Sequence, residues 1–207
     1  MPTRARLTHD RIVDAAIKLV DEEGVDAFSM RNLAAQLGVD AMAIYHHHKN
    51  KLALTHALVQ ALMAKCELPS PSADWRDDFR AICRNFRALA HKHPGAFLLY
   101  VYHEEWAASE FNVFEALLET LLRAGFSQKS AVRSMRMTLM FIEGFTEDEI
   151  NGWMEEEDIA ELQDVVTADN LPTLYSALAE FVAYDHEAEF EDGLNVLVNG
   201  FEAALRC

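Results

Sequence analysis

The chain has 207 residues, 51% of them hydrophobic, and a mean hydropathy of −0.06, values that fit one medium globular domain or two joined ones and exclude wholesale disorder. No apolar run reaches the roughly 18 residues of a bilayer span, the basic N-terminus has no signal-peptide core, and three scattered cysteines (Cys66, Cys83, Cys207) make no disulfide framework, so a reducing, cytoplasmic setting is expected. The net charge of −16 speaks against nucleic acid until its distribution is read: residues 1–66 hold eight Lys/Arg, seven Asp/Glu and five of the nine histidines, which leaves −17 beyond them.

Thr8 predicts the first helix N-cap, with Asp10 in the first turn. Ile12, Ala15, Ala16, Leu19 and Val20 recur at helical spacing until Gly24 closes the helix. Val25 and Phe28 fall in a short connection, and Ser29 caps a second helix interrupted at Gly38-Val39. Asp40 caps a short third helix through His46, and Asn50 a fourth that carries Leu54, Leu58, Ala61 and Leu62 on one face. Pro69-Ser70-Pro71-Ser72 marks a boundary, giving domains 1–67 and 68–207. Beyond it, helices are predicted from Asp74 to Lys92, where Pro94 stops the helix, from Gly95 to Trp106, and from Phe111 to Leu122. A long helix Gln128–Ile150 follows, then an acidic interval to Asn170 that reads as a loop or a short polar helix. Helices Pro172–Ala183 and Glu187–Leu205 complete an all-α chain: a small N-terminal domain and a larger C-terminal helical one.

Two short helices joined at Gly38 read either as a helix-turn-helix, whose second helix enters a DNA major groove, or as a corner that only packs. Leu33, Leu37, Val39 and Ile44 form an inward set, whereas Ala41, Met42, Ala43, Tyr45, His46 and His47 have no evident core partner. Small or unbranched residues let a helix lie deep in a groove, where Ala or Met can touch a thymine methyl. The triplet His46-His47-His48 also suggests a metal site. Successive helical residues point about 100° apart, however, so three in a row do not converge on one ion without a bend. No metal and no cofactor are expected.

Over about residues 7–63, this stretch resembles the DNA-binding domain of the TetR family of transcriptional regulators, and its tetracycline-repressor branch in particular. The resemblance is carried by Leu33-Ala34-Ala35-Gln36-Leu37-Gly38-Val39, by Tyr45, and by His47-His48-Lys49-Asn50-Lys51 opening the fourth helix. It implies that Arg31 contacts DNA, an Arg being the best bidentate partner for guanine. It further implies that Tyr45, His47 and Lys51 bind phosphate, and that Ala41, Met42, Ala43 and His46 face bases. The branch has polar and proline residues where Ala41-Met42-Ala43 stand and a tryptophan at His46, which implies a different operator.

In the larger domain, Phe97, Tyr100, His103 and Trp106 in one aromatic segment, with Phe114, and Met137, Met140 and Phe141 in a methionine-rich one, read as pocket lining or as plain core. From Met137 to Phe141 the helix is apolar nearly all round, so it requires cover on two sides. In the tetracycline-repressor branch, a histidine and a glutamate near His103, Glu143 and Glu147 help hold a metal-bound drug. Here the glutamate register differs by one and Glu67 stands where a histidine is expected, so a metal–tetracycline complex is not expected. A largely apolar lining in an acidic domain points to a neutral or cationic apolar small molecule.

In the last helix, Gly193, Leu197, Gly200 and Ala204 lie on one stripe beside a wider one of Phe190, Leu194, Val198, Phe201 and Leu205. Small residues permit close helix approach, so the stripe reads as half of a homodimeric four-helix interface, with intramolecular packing the rival. No Ser-His-Asp, Cys-His, phosphate-loop or HExxH pattern suggests an enzyme. The expected function is a homodimeric, ligand-responsive repressor on a near-palindromic double-stranded DNA operator. The alternative is a helical adaptor that uses the motif only for packing.

Overall fold

A computed structural model describes residues 6–103, 111–152 and 156–205. Among them are eleven α-helices, one 3-10 turn and no strand, and no helix long and apolar enough to cross a membrane. Packing divides the chain into two units, residues 1–142 and 143–207.

The first unit begins with α1 (His9–Glu23), the 3-10 turn (Val25–Ala27), α2 (Met30–Leu37), α3 (Ala41–Tyr45) and α4 (Lys51–Met63). Each of the four α-helices starts at a side-chain cap that satisfies an otherwise orphaned amide. Thr8 accepts from Arg11, Ser29 from Asn32, Asp40 from Met42 and Asn50 from Ala53. Gly24 and Gly38 end α1 and α2 at positive φ, 83° and 64°, where a side chain would be strained. Ile12, Ala16, Leu19 and Val20 of α1 are buried with Leu33 and Ala34 of α2, Ile44 of α3, and Leu54, Leu58 and Leu62 of α4. Leu37 and Val39, expected inside, are half-buried.

After an extended linker come α5 (Trp75–Lys92), capped by Asp74, α6 (Pro94–Tyr102), α7 (Asn112–Arg123) and α8 (Gln128–Asn151), which runs past Ile142. Pro94 both stops α5 and opens α6, since its missing N–H costs nothing in a first turn. The linker is tied down: the Ser72 amide lies 3.0 Å from both oxygens of the buried Asp78 carboxylate, and Arg123 of α7 donates to the same carboxylate at 2.8 Å. Burial alone would raise the Asp78 pKa. The hydrogen bonds from Ser72 and Arg123 outweigh it and hold the carboxyl below its usual range.

The unit also crosses the boundary between residues 67 and 68, because α1 and α4 pack on α6. Gly95 makes that approach possible: a Cβ there would stand 2.0 Å from the Val20 carbonyl oxygen. Beside it, the Asp21 carboxylate lies 2.8 Å from His93 Nδ1 and accepts from the Ala96 amide at 3.1 Å, so α1 supplies the N-terminal cap of α6.

The second unit holds the end of α8, α9 (Glu156–Val165), α10 (Pro172–Val182) and α11 (His186–Leu205). Phe145 of α8 packs against Tyr184, His186 and Phe190. On α11, Phe190, Leu194, Val198 and Phe201 are buried; α10, although apolar, has no buried residue.

Candidate DNA-binding face and ligand-pocket residues

In the first four helices, the buried side chains leave one face of α3 outward. Ile44 is fully buried and anchors α3 to the core, while Met42 is 62% and Tyr45 42% exposed. Ala41 and Ala43 are half-buried, and His46 and His47 are exposed on the turn that follows. Arg31, the second residue of α2, is exposed, as is Lys51 at the start of α4. Asn50 caps the end of α4 at which Lys51 stands, so free amides and a cation share one site suited to a phosphate. The Lys51 ammonium also stands 5.0 Å above the Phe28 ring, a cation–π contact that limits where it can reach. Arg6 and Arg11 border a groove of about 440 Å³ against Gly38, Val39 and Asp40.

One member of the histidine triplet behaves differently from its neighbours. His48 is 4% exposed, with its ring 4.4 Å from that of His9. The sequence pattern gave no sign of this stack, because His9 lies at the far end of α1. Among the described residues, no three His, Cys, Asp or Glu side chains are grouped to hold a metal.

The described residues among the proposed pocket lining differ in burial. Phe97 and Tyr100 are buried with Phe86, at ring separations of 5.6 and 6.0 Å, and His103 continues the series 5.8 Å from Tyr100 while bonding to its carbonyl. Phe114 is half-buried and packs edge-on to Phe111, Phe141 is half-buried, and Trp106 lies outside the described residues. Met137 and Met140 correct the expectation of a shared lining. They are 52% and 68% exposed on the side of α8 opposite its buried Ser134, Thr138 and Ile142. There they border an open groove of about 380 Å³ with Lys129, Val132, Arg133 and Arg136. Of the α11 stripe, Gly193 and Leu197 are half-buried, Gly200 and Ala204 exposed.

Two family models cover this architecture: bacterial regulatory proteins of the tetR family match residues 12–58, and the tetracyclin repressor-like C-terminal domain matches residues 68–205. The chain belongs to the TetR family. It is 33% identical over 200 residues to the class A tetracycline repressor protein from transposon 1721 of Escherichia coli, covering 94% of this chain and 90% of that one. The fold superimposes on that of the Streptomyces coelicolor TetR family protein ActR in complex with actinorhodin, with a TM-score of 0.83, 23% identity and 97% of each chain covered. It also matches the Q116A variant of TetR from Acinetobacter baumannii in complex with minocycline, with a TM-score of 0.71, 25% identity and coverage of 96% and 98%. This TetR-family chain is a ligand-responsive, DNA-binding transcriptional regulator, and the matches do not favour the adaptor reading.

Proposed function

We propose that this regulator acts as a dimeric repressor whose operator contacts are made by Arg31, Ala41, Met42, Ala43, Tyr45, His46, His47 and Lys51. The observation that carries the reading is the α3 face itself, where a buried Ile44 presents exposed Met42 and Tyr45 between the cations of α2 and α4. A two-fold pair of such faces spaced by about 34–36 Å reaches successive major grooves of a near-palindromic site. Arg31→Ala is expected to weaken specific binding by about 1–3 kcal/mol per contact and to relax preference at one base pair. Lys51→Ala should weaken all sequences alike and reduce the salt dependence by about one ion per protomer. Salt-titrated shift assays check both, and unchanged affinity in the two folded variants would remove the assignment.

For the effector, a neutral or cationic, largely apolar small molecule bound without metal fits the acidic domain and the Phe86–Phe97–Tyr100 ring cluster. The actinorhodin and minocycline complexes of the two structural relatives support an organic small molecule as the effector. Release from operator DNA by compounds found in a thermal-shift screen tests it. An inducer that is a small polyanion, or one that requires Mg²⁺, would count against it.

Dimerisation through α11 would cover its exposed stripe of Gly200 and Ala204 with Val196, which is 72% exposed.

A further inference from the structure

His48 occupies the turn between α3 and α4, where the amides of His47 and His48 both donate to the Ile44 carbonyl at 2.9 Å. Its ring is buried, stacks on His9 at an interplanar angle of 38°, and leaves Nε2 without a hydrogen-bond partner. A buried, unpartnered imidazole nitrogen tolerates a neutral ring far better than an ion. The turn that it fills carries Tyr45 and His47 on one side and Lys51 on the other.

We propose that His48 is a positioning residue that makes operator binding depend on pH: neutral, it locks the α3–α4 turn onto α1 through His9, and protonated, it releases that turn and the contacts the turn presents. The inference rests on the proposed DNA face, since the released contacts are the ones assigned there. Burial, followed by the charges of His9 and His47, pushes the His48 pKa below the ordinary imidazole value of 6.5, while a backbone hydrogen bond at Ala53 acts the other way. The charged groups acting on the ring thus come from α1 and its own turn. His9 is itself 3.5 Å from the Asp10 carboxylate, and α4 contributes backbone. The sign follows from linkage. The locked state binds fewer protons than the released one, so locking is complete well above pH 6.5 and weakens as pH falls below it.

The test uses the full chain and the duplex that it selects from random-sequence DNA at pH 7.5. Dissociation constants of wild type and His48→Val are compared at pH 7.5 and 5.5, so that the difference between the two pH dependences reports on His48. Wild type is expected to lose up to about tenfold more affinity per protomer than the variant over that interval. Parallel pH curves would overturn the role of His48, whereas failure to select any duplex at pH 7.5 would overturn the DNA face together with it. Imidazole NMR on the wild type is independent of how the variant folds. His48 should titrate below the ordinary imidazole value of 6.5, with the amides of residues 46–53 shifting at its midpoint. A His48 that titrates at the ordinary value and leaves those amides still overturns the proposal.

Discussion

A Gly200→Trp variant should elute as a monomer and lose operator binding while keeping its helical circular dichroism. In a single chain, a Cβ at Gly200 meets nothing within 4 Å, so a side chain can leave the helix there without a clash at its root. The buried stripe of α11, Phe190, Leu194, Val198 and Phe201, lies on a different face and is untouched. Loss of assembly with helical content retained therefore points to a second molecule. Helices in a close four-helix interface run 8–10 Å apart, and a two-fold axis brings the substitution in twice. Overpacking costs about 1–3 kcal/mol at one site, and two indoles at a glycine crossing exceed what local repacking absorbs. Light scattering coupled to gel filtration reads the outcome directly. A variant that remained dimeric would show that this stripe is not the interface.

Asp21→Ala is the second substitution for which a large loss is expected, in stability rather than assembly. The Asp21 carboxylate lies against His93 Nδ1 and the Ala96 amide, and the side chains of Asp21 and His93 are both only 16% exposed. Truncation leaves a partly buried ring nitrogen and a first-turn amide of α6 without an acceptor, and it removes an anion from the positive end of that helix. About 2–4 kcal/mol is expected from charge-assisted hydrogen bonds of this kind. Glu22→Ala is the matched control, since the Lys18–Glu22 pair one residue away is exposed at both ends and 3.7 Å apart, where a few tenths of a kcal/mol is usual. Urea unfolding of the two variants separates them, and equal midpoints would show that the cap contributes little.

The contrast between Asp21 and the other caps explains what could be read from sequence. Thr8, Ser29, Asp40, Asn50 and Asp74 cap helices two or three residues away, so composition and spacing suffice to find them. Asp21 acts on a helix that begins 73 residues later, and no local pattern distinguishes it from the exposed acids beside it. The all-round apolar stretch from Met137 to Phe141 was legible as a helix needing cover on two sides. The same uniformity hid which side faces inward, so Met137 and Met140 were grouped with Phe97 and Tyr100 although they point outward. His48 was hidden for the opposite reason: its neighbours His46 and His47 are exposed, and only the position of His9 reveals that the third ring is interior. Gly95 carried no turn signature because its role is proximity to Val20, not an unusual backbone angle.

The clamp of Ser72 and Arg123 on Asp78 has a consequence for how two heads share one operator. A slack linker would let each head wander, and the second half-site would then be met at low effective concentration. With the linker fastened to α5 and α7, the helices before it are held on the rest of their own unit. In the dimer proposed above, a head restrained in this way has less space to search once the other is seated, and avidity favours a narrow range of spacings. The same stiffness makes avidity brittle. A change in spacing of a few ångströms costs the second head its site while both heads stay folded, so a small movement in the body can clear an operator without melting any part of the protein that reads it.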